Sequence, residues 1–163
     1  MEVVDVKNLD LDYFAEQRYK LFDSAWRGIL PDSWLDKFSV QSVKENIEEH
    51  LKNGHRLYLA LVDKTPCGYI MFGKFRESDD NDSGEIMSIY FYKEYRGIGL
   101  AQKLFDYAQE ELFRSYKTIY IWVLEINKRA RAFYEKNGYK DTGKRRFQNC
   151  DKLYNEMLYS KSI

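Results

Sequence analysis

The chain contains few cysteines and few histidines, which limits the metal and redox chemistry that it can perform. Two cysteines and two histidines occur in 163 residues. Cys67 and Cys150 form no Cys-x-x-Cys pair, and two lone thiols are more often packing residues than a redox pair or metal site. His50 and His55 are five residues apart, one more than the spacing that places two side chains on one helical face. We therefore expect no metal site.

Excess charge of one sign and long apolar runs are also missing. The 26 basic side chains equal the 26 acidic ones, which argues against a dedicated nucleic-acid binder. The sequence has no run of about 18 apolar residues, so we expect no membrane span and no membrane partner. The segment Met1 to Asp10 lacks the apolar core of a signal peptide. These absences predict a cytoplasmic protein.

The chain does have the length and the aromatic content of a folded domain. Its 163 residues predict a single domain, residues 1–163, with a substantial core. Aromatic side chains make up 17% of the residues, which suits a filled core and a cleft with rigid walls. We find no linker, internal repeat or low-complexity tract.

The first third of the chain predicts two helices. Asp10 or Asp12 caps the first, which runs to about Phe22. Ser42 and Glu45 match a capping box that opens the second, and a following Asn-Gly pair stops it after about ten residues.

The remainder alternates strand and helix patterns. Apolar and β-rich runs predict strands, joined to a short valine strand at the N-terminus, while two helical patterns separate the later ones. From residue 85 to residue 145 the patterns alternate as strand, helix, strand, helix and strand. This order implies right-handed crossovers, and the nearly continuous apolar run Thr118–Leu124 suits a buried parallel strand. We therefore expect a mixed α/β sheet. The predicted strands are Met1–Val6, Leu57–Val62, Tyr69–Phe75, Glu85–Tyr92, Thr118–Leu124, Tyr139–Arg145 and Lys152–Tyr159; the helices between them are Leu100–Arg114 and Asn127–Asn137, and a six-residue turn is expected at Asp63–Gly68.

The acidic loop from Glu77 to Gly84 superficially resembles a calcium-binding loop. The twelfth position of such a loop must be a bidentate glutamate, and here it is Tyr90. A solvated hairpin loop is the better interpretation.

A glycine-containing turn, Tyr95 to Ala101, joins a predicted strand to a predicted helix. Glycines allow a tight turn and a close approach of backbone to ligand. The first amides of the helix point out from its positive end, where a phosphate or pyrophosphate binds readily. A turn that needs glycine only for its backbone angle remains an alternative. The pattern is neither a P-loop, because no Lys-Ser or Lys-Thr follows Gly99, nor a dinucleotide fingerprint, because residue 102 is Gln102.

Two sequence blocks resemble the GNAT superfamily of N-acetyltransferases. The first is Arg-x-x-Gly-x-Ala over Arg96 to Ala101, which is similar to the acyl-CoA pyrophosphate loop of that family. The second has the spacing Asn-x-x-Ala-x-x-Phe-Tyr-x-x-x-Gly-Tyr and comprises Asn127, Ala130, Phe133, Tyr134, Gly138 and Tyr139. The resemblance covers roughly residues 56 to 160, with looser similarity before that.

The resemblance implies a fold and an activity. The fold would be a GNAT-type mixed, mostly antiparallel twisted sheet of about seven strands flanked by about four helices. The activity would be transfer of an acetyl group from acetyl-CoA to a primary amine, on a small molecule or on a peptide or protein, by direct attack in a ternary complex. Many members of the family pair, so analogy implies a homodimer.

The resemblance also implies which residues bind acetyl-CoA. The main chain of the strand before the loop would pair with the pantetheine arm, and one of its amides would face the thioester oxygen. Loop amides would hold the pyrophosphate with an arginine at the edge, and the Asn127 amide would bind the arm. The residues are Ile89, Tyr90 and Phe91 on the strand; Arg96, Gly97, Ile98, Gly99, Leu100, Ala101 and Gln102 in the loop; and Asn127 and Tyr134 beyond it. For Arg96 the alternative is capping of nearby carbonyls, and for Asn127 it is a helix N-cap, which can coexist with binding.

Acid and base roles fall to two residues. Tyr134 matches the family's general-acid tyrosine; a phenol with a pKa of about 10 can protonate a thiolate whose thiol has a pKa of about 8.5. The alternative for Tyr134 is an ordinary aromatic residue on an amphipathic helix, since the chain has 14 tyrosines. Glu85 is the candidate base, directly or through water, and the alternative for it is a solvated strand end. Some relatives carry a glutamate five residues before the asparagine, but that position is Trp122 here.

The acceptor site is expected between two irregular stretches, Trp26 to Trp34 and Phe147 to Lys152. Aromatic walls with an acid such as Asp32 suit a cationic amine, although the same residues could simply pack. Two further interpretations of the whole chain stay open: a non-catalytic acyl-CoA sensor, and a generic nucleotide phosphate binder.

Overall fold

A computed structural model describes all residues from 1 to 163. Its seven strands form one sheet in the order β1-β2-β3-β4-β5-β7-β6. The strands are β1 Glu2–Asp5, β2 Arg56–Val62, β3 Thr65–Lys74, β4 Ser83–Phe91, β5 Thr118–Leu124, β6 Lys140–Asn149 and β7 Leu153–Ser162. The helices are α1 Leu11–Trp26, α2 Asp32–Leu35, α3 Val40–Lys52, α4 Leu100–Phe113 and α5 Lys128–Lys136, with 3-10 turns at Val6–Asn8 and Lys93–Tyr95. The predicted mixed α/β sheet of about seven strands is confirmed.

The sheet buries a core on each face. On one face α4 packs through an apolar stripe of buried residues, Leu104, Phe105, Ala108 and Leu112. On the other face α1 and α3 cover strands β2 and β3 through residues such as Phe14, Leu21 and Ile47. Alternate residues of each strand therefore serve opposite cores, as the two-residue period of a strand requires.

All strand pairs are antiparallel except β4 with β5, and that pair is short. Its register runs only from Ser83–Thr118 to Glu85–Tyr120. The pairing of β4 with β3 continues to Phe91, with a bulge in which Met87 is the extra residue. Beyond Glu85 the two parallel strands diverge, so the sheet is split on the C-terminal side of this point.

Local signals placed most helix ends correctly. The Asp10 side chain accepts a hydrogen bond from the Tyr13 amide and caps α1. Gly54 and Gly138 follow α3 and α5 with positive φ angles of 77° and 85°. Such angles favour glycine, so both are the expected stop signals.

Three predicted boundaries of helices and turns were wrong, and strands β6 and β7 also continue four and three residues past their predicted ends, to Asn149 and Ser162. The capping box of α3 is formed by Ser39 and Ser42, not by Ser42 and Glu45, because Ser42 itself supplies the reciprocal hydroxyl at the third helical position. Helix α1 continues four residues past Phe22 to Trp26, which packs in a buried cluster with Leu30.

The third correction concerns the turn between β2 and β3. It comprises only Asp63 and Lys64, both with positive φ, as two-residue hairpin turns require. The predicted six-residue turn is too long because the following Pro-Cys-Gly belongs to β3, where Cys67 is an extra residue opposite a bulged register.

The acidic segment before β4 is an internally bonded loop. Asp80 accepts hydrogen bonds from Ser78 and Ser83 and from the Asp82 amide, and Asp82 pairs with Lys117. No group of three or more His, Cys, Asp or Glu side chains is arranged to hold a metal ion. None of the helices is both long and apolar enough to cross a bilayer.

Candidate acyl-transfer site

The divergence of β4 and β5 opens a cleft of about 570 Å³. That volume lies in the range of small-molecule sites. Both strands contribute walls, α1 and the segment after it close one end, and the loop before α4 with the start of α5 forms the other. The cleft is mainly apolar, with 19 of its 26 lining residues hydrophobic.

Main-chain groups of β4 face this cleft. The Tyr92 amide donates to the Cys67 carbonyl on β3 at 3.0 Å. Because ladder bonds alternate along an antiparallel strand, the main-chain groups of Ile89 and Phe91 point the opposite way, toward β5. Since β5 pairs with β4 only as far as Glu85, these groups have no strand partner on that side. Of the three predicted residues, Ile89 and Phe91 have main-chain groups on this edge, although the Phe91 carbonyl already accepts from Arg96 Nε. The main chain of Tyr90 points toward β3 instead, and only its side chain borders the cleft.

The glycine loop presents a row of free amides. None of the six successive main-chain amides from Gly97 to Gln102 donates a hydrogen bond within the protein; the first bond of the helix runs from Lys103 to Gly99. Gly97 and Gly99 have φ angles of 78° and 86°, and a Cβ at either position would meet no atom within 4 Å. The turn therefore needs glycine for its backbone conformation, and the space beside both glycines is open.

The side chains of this loop point in different directions. Ile98 is 64% exposed, whereas Ala101 lines the cleft and Leu100 packs against the core. The Gln102 side chain does not enter the cleft, because its amide nitrogen donates to Asp106 at 2.8 Å and to Asn137 at 2.6 Å.

Basic side chains collect at the loop end of the cleft. Arg96 Nε donates to the Phe91 carbonyl at 2.7 Å while the residue also lines the cleft, so it both caps a carbonyl and borders the site. Burial, followed by the charge of Arg129, lowers the pKa of Arg96. Lys128 and Arg129 line the same end, and sequence reasoning missed both of them. This arrangement favours a multiply charged anion.

Tyr134 lies inside the cleft on the α4 side of the sheet. Its ring packs against Phe105 at 5.8 Å and close to Phe133 and Tyr139. Its hydroxyl has no hydrogen-bond partner in the protein. Burial raises the pKa of Tyr134 well above the ordinary value, so the phenol carries its proton at neutral pH.

Asn127 caps α5 and borders the cleft. Its side-chain oxygen accepts from the Ala130 amide at 3.1 Å, and this leaves the NH₂ group to donate elsewhere. Both interpretations of this residue are therefore geometrically compatible.

Glu85 is placed away from the other candidates. It is 1% exposed and does not line the cleft. Arg76 binds its carboxylate with two guanidinium bonds, 2.6 and 3.0 Å long, and also with its amide. The structure is therefore at odds with Glu85 as the base and equally with a solvated strand end, because the side chain is a buried ion-pair partner.

The end of the cleft where an acceptor is expected is lined by both predicted stretches, although not by all of their residues. Trp26 and Trp34 line the cleft, and the Trp26 indole donates to the Tyr90 hydroxyl at 2.9 Å. Asp32 lies outside and pairs with Arg27. Phe147 is 70% exposed because alternation along β6 turns Arg146 and Gln148 toward the sheet interior instead.

Two more residues at this end, Trp122 and Glu156, were missed by sequence reasoning, whereas Cys150, which also lines it, belongs to the predicted stretch from Phe147 to Lys152. Alternation along β5 and β7 could have placed Trp122 and Glu156 on a common face with the apolar residues beside them, but only the strand order brings these two strands together.

The chain was compared with known proteins. Residues 16–139 match the model of the acetyltransferase (GNAT) family. An uncharacterized N-acetyltransferase from Archaeoglobus fulgidus is 28% identical over 137 residues, which cover 82% of this chain and 89% of the relative. The fold resembles that of ribosomal-protein-alanine N-acetyltransferase from Brucella melitensis, with a TM-score of 0.78, 15% identity and full coverage of both chains. It also resembles PaiA N-acetyltransferase from Thermoplasma acidophilum, solved in complex with coenzyme A, with a TM-score of 0.71, 19% identity and full coverage of both. Because the family model spans well over half of the sequence, the chain belongs to the GNAT family of acetyltransferases and is an acyltransferase.

Proposed function

We propose that the protein transfers an acetyl group from acetyl-CoA to a primary amine by direct attack within a ternary complex. The observation that carries this proposal is the split between β4 and β5, which runs from six free loop amides to a buried, protonated tyrosine. Acetyl-CoA carries a thioester at one end of a long arm and a diphosphate at the other, which matches the order of these groups along the cleft. The T. acidophilum structure of the same fold, with coenzyme A bound, supports the assignment.

The residues of the cleft fit such a ligand in a further respect. Ser88 Oγ and Trp122 Nε1 are buried without any hydrogen-bond partner, and both residues line the cleft. Unpaired buried polar atoms are costly, so a bound molecule that satisfies them is stabilised. In the proposed complex the amides of Gly97 to Gln102 hold the diphosphate and the main chain of Ile89 and Phe91 pairs with the arm.

Acetyl-CoA supplies an activated acyl group. The amine nitrogen forms the new bond to the acyl carbon while the carbon–sulfur bond breaks. Tyr134 gives its proton to the departing sulfur, and the nitrogen loses a proton to solvent or to a nearby base. An amide N–H of β4, from Ile89 or Phe91, stabilises the developing charge on the acyl oxygen.

The test is the substitution Tyr134→Phe. General-acid catalysis contributes about 10²-fold or more, so turnover measured as free thiol release should fall by about that factor while coenzyme A binding by calorimetry stays unchanged. Tyr13→Phe, at an exposed tyrosine, is the matched control and should retain full turnover.

Two results would contradict the proposal. Undiminished turnover of Tyr134→Phe would remove the general-acid role. If no amine in a broad panel caused thiol release from the wild type although coenzyme A bound, the protein would be an acyl-CoA sensor.

A further inference from the structure

We propose that Glu156 binds the ammonium group of the acceptor, and that the acceptor is a small monoamine with an aromatic or branched aliphatic body and no carboxylate beside the nitrogen. This inference rests on the proposed acetyl transfer and names its second substrate. It concerns the end of the cleft opposite the glycine loop.

Strand register places Glu156 beside the reacting centre. Glu156 lies directly opposite Leu124 in the β5–β7 pair, so both side chains project from the same face. That face carries Trp26 and Cys150, which pack with Leu124. Counting from the last β4–β5 pair and allowing for the β4 bulge, Leu124 stands level with Tyr90, next to the strand edge that would carry the thioester.

Glu156 is the only carboxylate among the residues that line the cleft. Its Oε2 accepts from Arg146 Nε, while Oε1 has no hydrogen-bond partner in the protein. The side chain is 12% exposed. A mostly buried carboxylate with one free oxygen is a strong acceptor for an ammonium group.

The surroundings hold this carboxylate in place. The Arg146 guanidinium stacks on Trp122 at 4.2 Å from the ring centre and also binds Glu77, which in turn pairs with Lys144. The four charged groups sum to zero, so no excess positive charge repels an incoming cation. Arg146 is held by the two carboxylates through Nε and Nη1, and it is not among the residues that line the cleft.

The charge distribution along the cleft selects against amino acids and polyamines. The basic residues that line the cleft are Arg96, Lys128 and Arg129, and all three belong to the loop end. A carboxylate beside the amine would be buried near Glu156 without a cationic partner, which is unfavourable. A second ammonium group would likewise find no second carboxylate in the lining.

The walls determine the rest of the molecule. Trp26, Trp34, Leu30 and Trp122 line this end, and the rings are held by edge contacts and by the Trp26–Tyr90 hydrogen bond. Rigid aromatic walls favour a flat or branched apolar body of limited size. An extended peptide would bury its polar main chain against these apolar rings, which is unfavourable.

The first experiment compares acceptors on the wild-type enzyme with saturating acetyl-CoA. We expect kcat/KM for 2-phenylethylamine to exceed that for phenylalanine, spermidine and an alanine-terminated peptide by about tenfold or more, since one unpaired buried charge changes affinity by at least that factor. Equal or better acetylation of phenylalanine, spermidine or the peptide would overturn the inference.

The second experiment uses Glu156→Gln, with Glu156→Asp as the charge-retaining variant and Glu110→Gln as the exposed control. We expect Glu156→Gln to raise KM for 2-phenylethylamine about tenfold while coenzyme A affinity and the unfolding midpoint stay close to wild type. Glu156→Asp should recover part of the loss. An unchanged KM in a folded Glu156→Gln enzyme would refute the assignment.

The two proposals fail differently. Absence of thiol release with every amine would overturn acetyl transfer and this inference together. If amines cause thiol release and Glu156→Gln does not change that release, acetyl transfer is supported and only the acceptor assignment is overturned.

Discussion

Glu85 and Glu156 are both carboxylates near the central strands, and their surroundings give them different roles. Glu85 is enclosed by the sheet and held by Arg76 on both oxygens. Glu156 keeps one oxygen free at the cleft. Because both oxygens of Glu85 are bound by Arg76 and the side chain does not line the cleft, it cannot reach an amine held there.

Glu85→Gln therefore tests a structural role at this residue. A glutamine keeps the shape and one oxygen acceptor for Arg76, so we expect kcat/KM to change little and the free energy of unfolding to decrease by about 1 kcal/mol. Steady-state kinetics and urea unfolding measure the two quantities. A loss of turnover of about 10²-fold without loss of folding would instead identify Glu85 as a base.

At the scale of elements, a histidine pair joins the end of α3 to the start of β2. His50 and His55 are buried, and their Nδ1 atoms are 2.8 Å apart. His55 also packs on β3, where a Cβ at Gly73 would lie 2.7 Å from its ring. Arg18, Arg76 and Glu85 are the other charged groups near the pair. Such a contact requires at least one neutral ring, because both nitrogens cannot donate.

The pair predicts an acid-sensitive stability. Burial, with the charge of Arg18 next, lowers the pKa of His50 to about 4 from 6.5. Below about pH 6.5 His50 is protonated in the unfolded chain but remains neutral in the folded chain. Its contribution to the free energy of unfolding is therefore constant above that pH and decreases as the pH falls from 6.5 to 4. We expect a loss of about 2 kcal/mol between pH 7 and pH 5.

Urea unfolding at the two pH values measures this loss, and His50→Gln serves as the control because it removes the titrating group. The variant should lose about 2 kcal/mol less than the wild type over the same interval. An identical pH dependence in both proteins would contradict the assignment.

At the scale of the whole molecule, the cleft combines groups from distant parts of the sheet. The glycine loop follows β4, and Tyr134 on α5 lies on the face of the sheet that packs against α4. The opposite end of the cleft is lined by residues of α1, β6 and β7 on the other face. A ligand that spans the cleft contacts all of them only in the folded state. Binding is therefore linked to global stability.

Coenzyme A at about 100 times its dissociation constant should stabilise the fold by about 2.7 kcal/mol and raise Tm by about 5–10 °C. ATP at the same concentration should give a smaller shift, because it lacks the arm that we propose to pair with β4. Thermal unfolding measures both. A larger shift with ATP would favour a generic nucleotide phosphate binder.

Gly99→Ala and Gly54→Ala provide a matched pair for that experiment. Both positions have positive φ and open space around the Cβ, so each substitution should cost about 1 kcal/mol. Only Gly99→Ala alters the loop that we propose to bind the diphosphate, so it alone should reduce the shift caused by coenzyme A. Equal shifts in both variants would exclude the loop as the diphosphate site.

Local patterns in the sequence determined a large part of this protein. The glycines, capping residues and apolar periodicities placed the strands and most helix ends to within a few residues, because these signals act over a few neighbouring positions. The two motif blocks located the loop amides and Tyr134. For the loop there is a physical reason, because close approach to a ligand and a positive φ demand glycine whatever the rest of the fold. Tyr134 was indicated only by the resemblance to the family.

Only the tertiary structure decided which distant residues meet. It placed β7 between β5 and β6, and so brought Glu156 opposite Leu124; it ended the β4–β5 pairing at Glu85, and so opened the cleft. It also gave Glu85 its partner Arg76. Strand order, register and ion pairing across the sheet depend on the packing of both cores at once, and no short stretch of sequence encodes that packing.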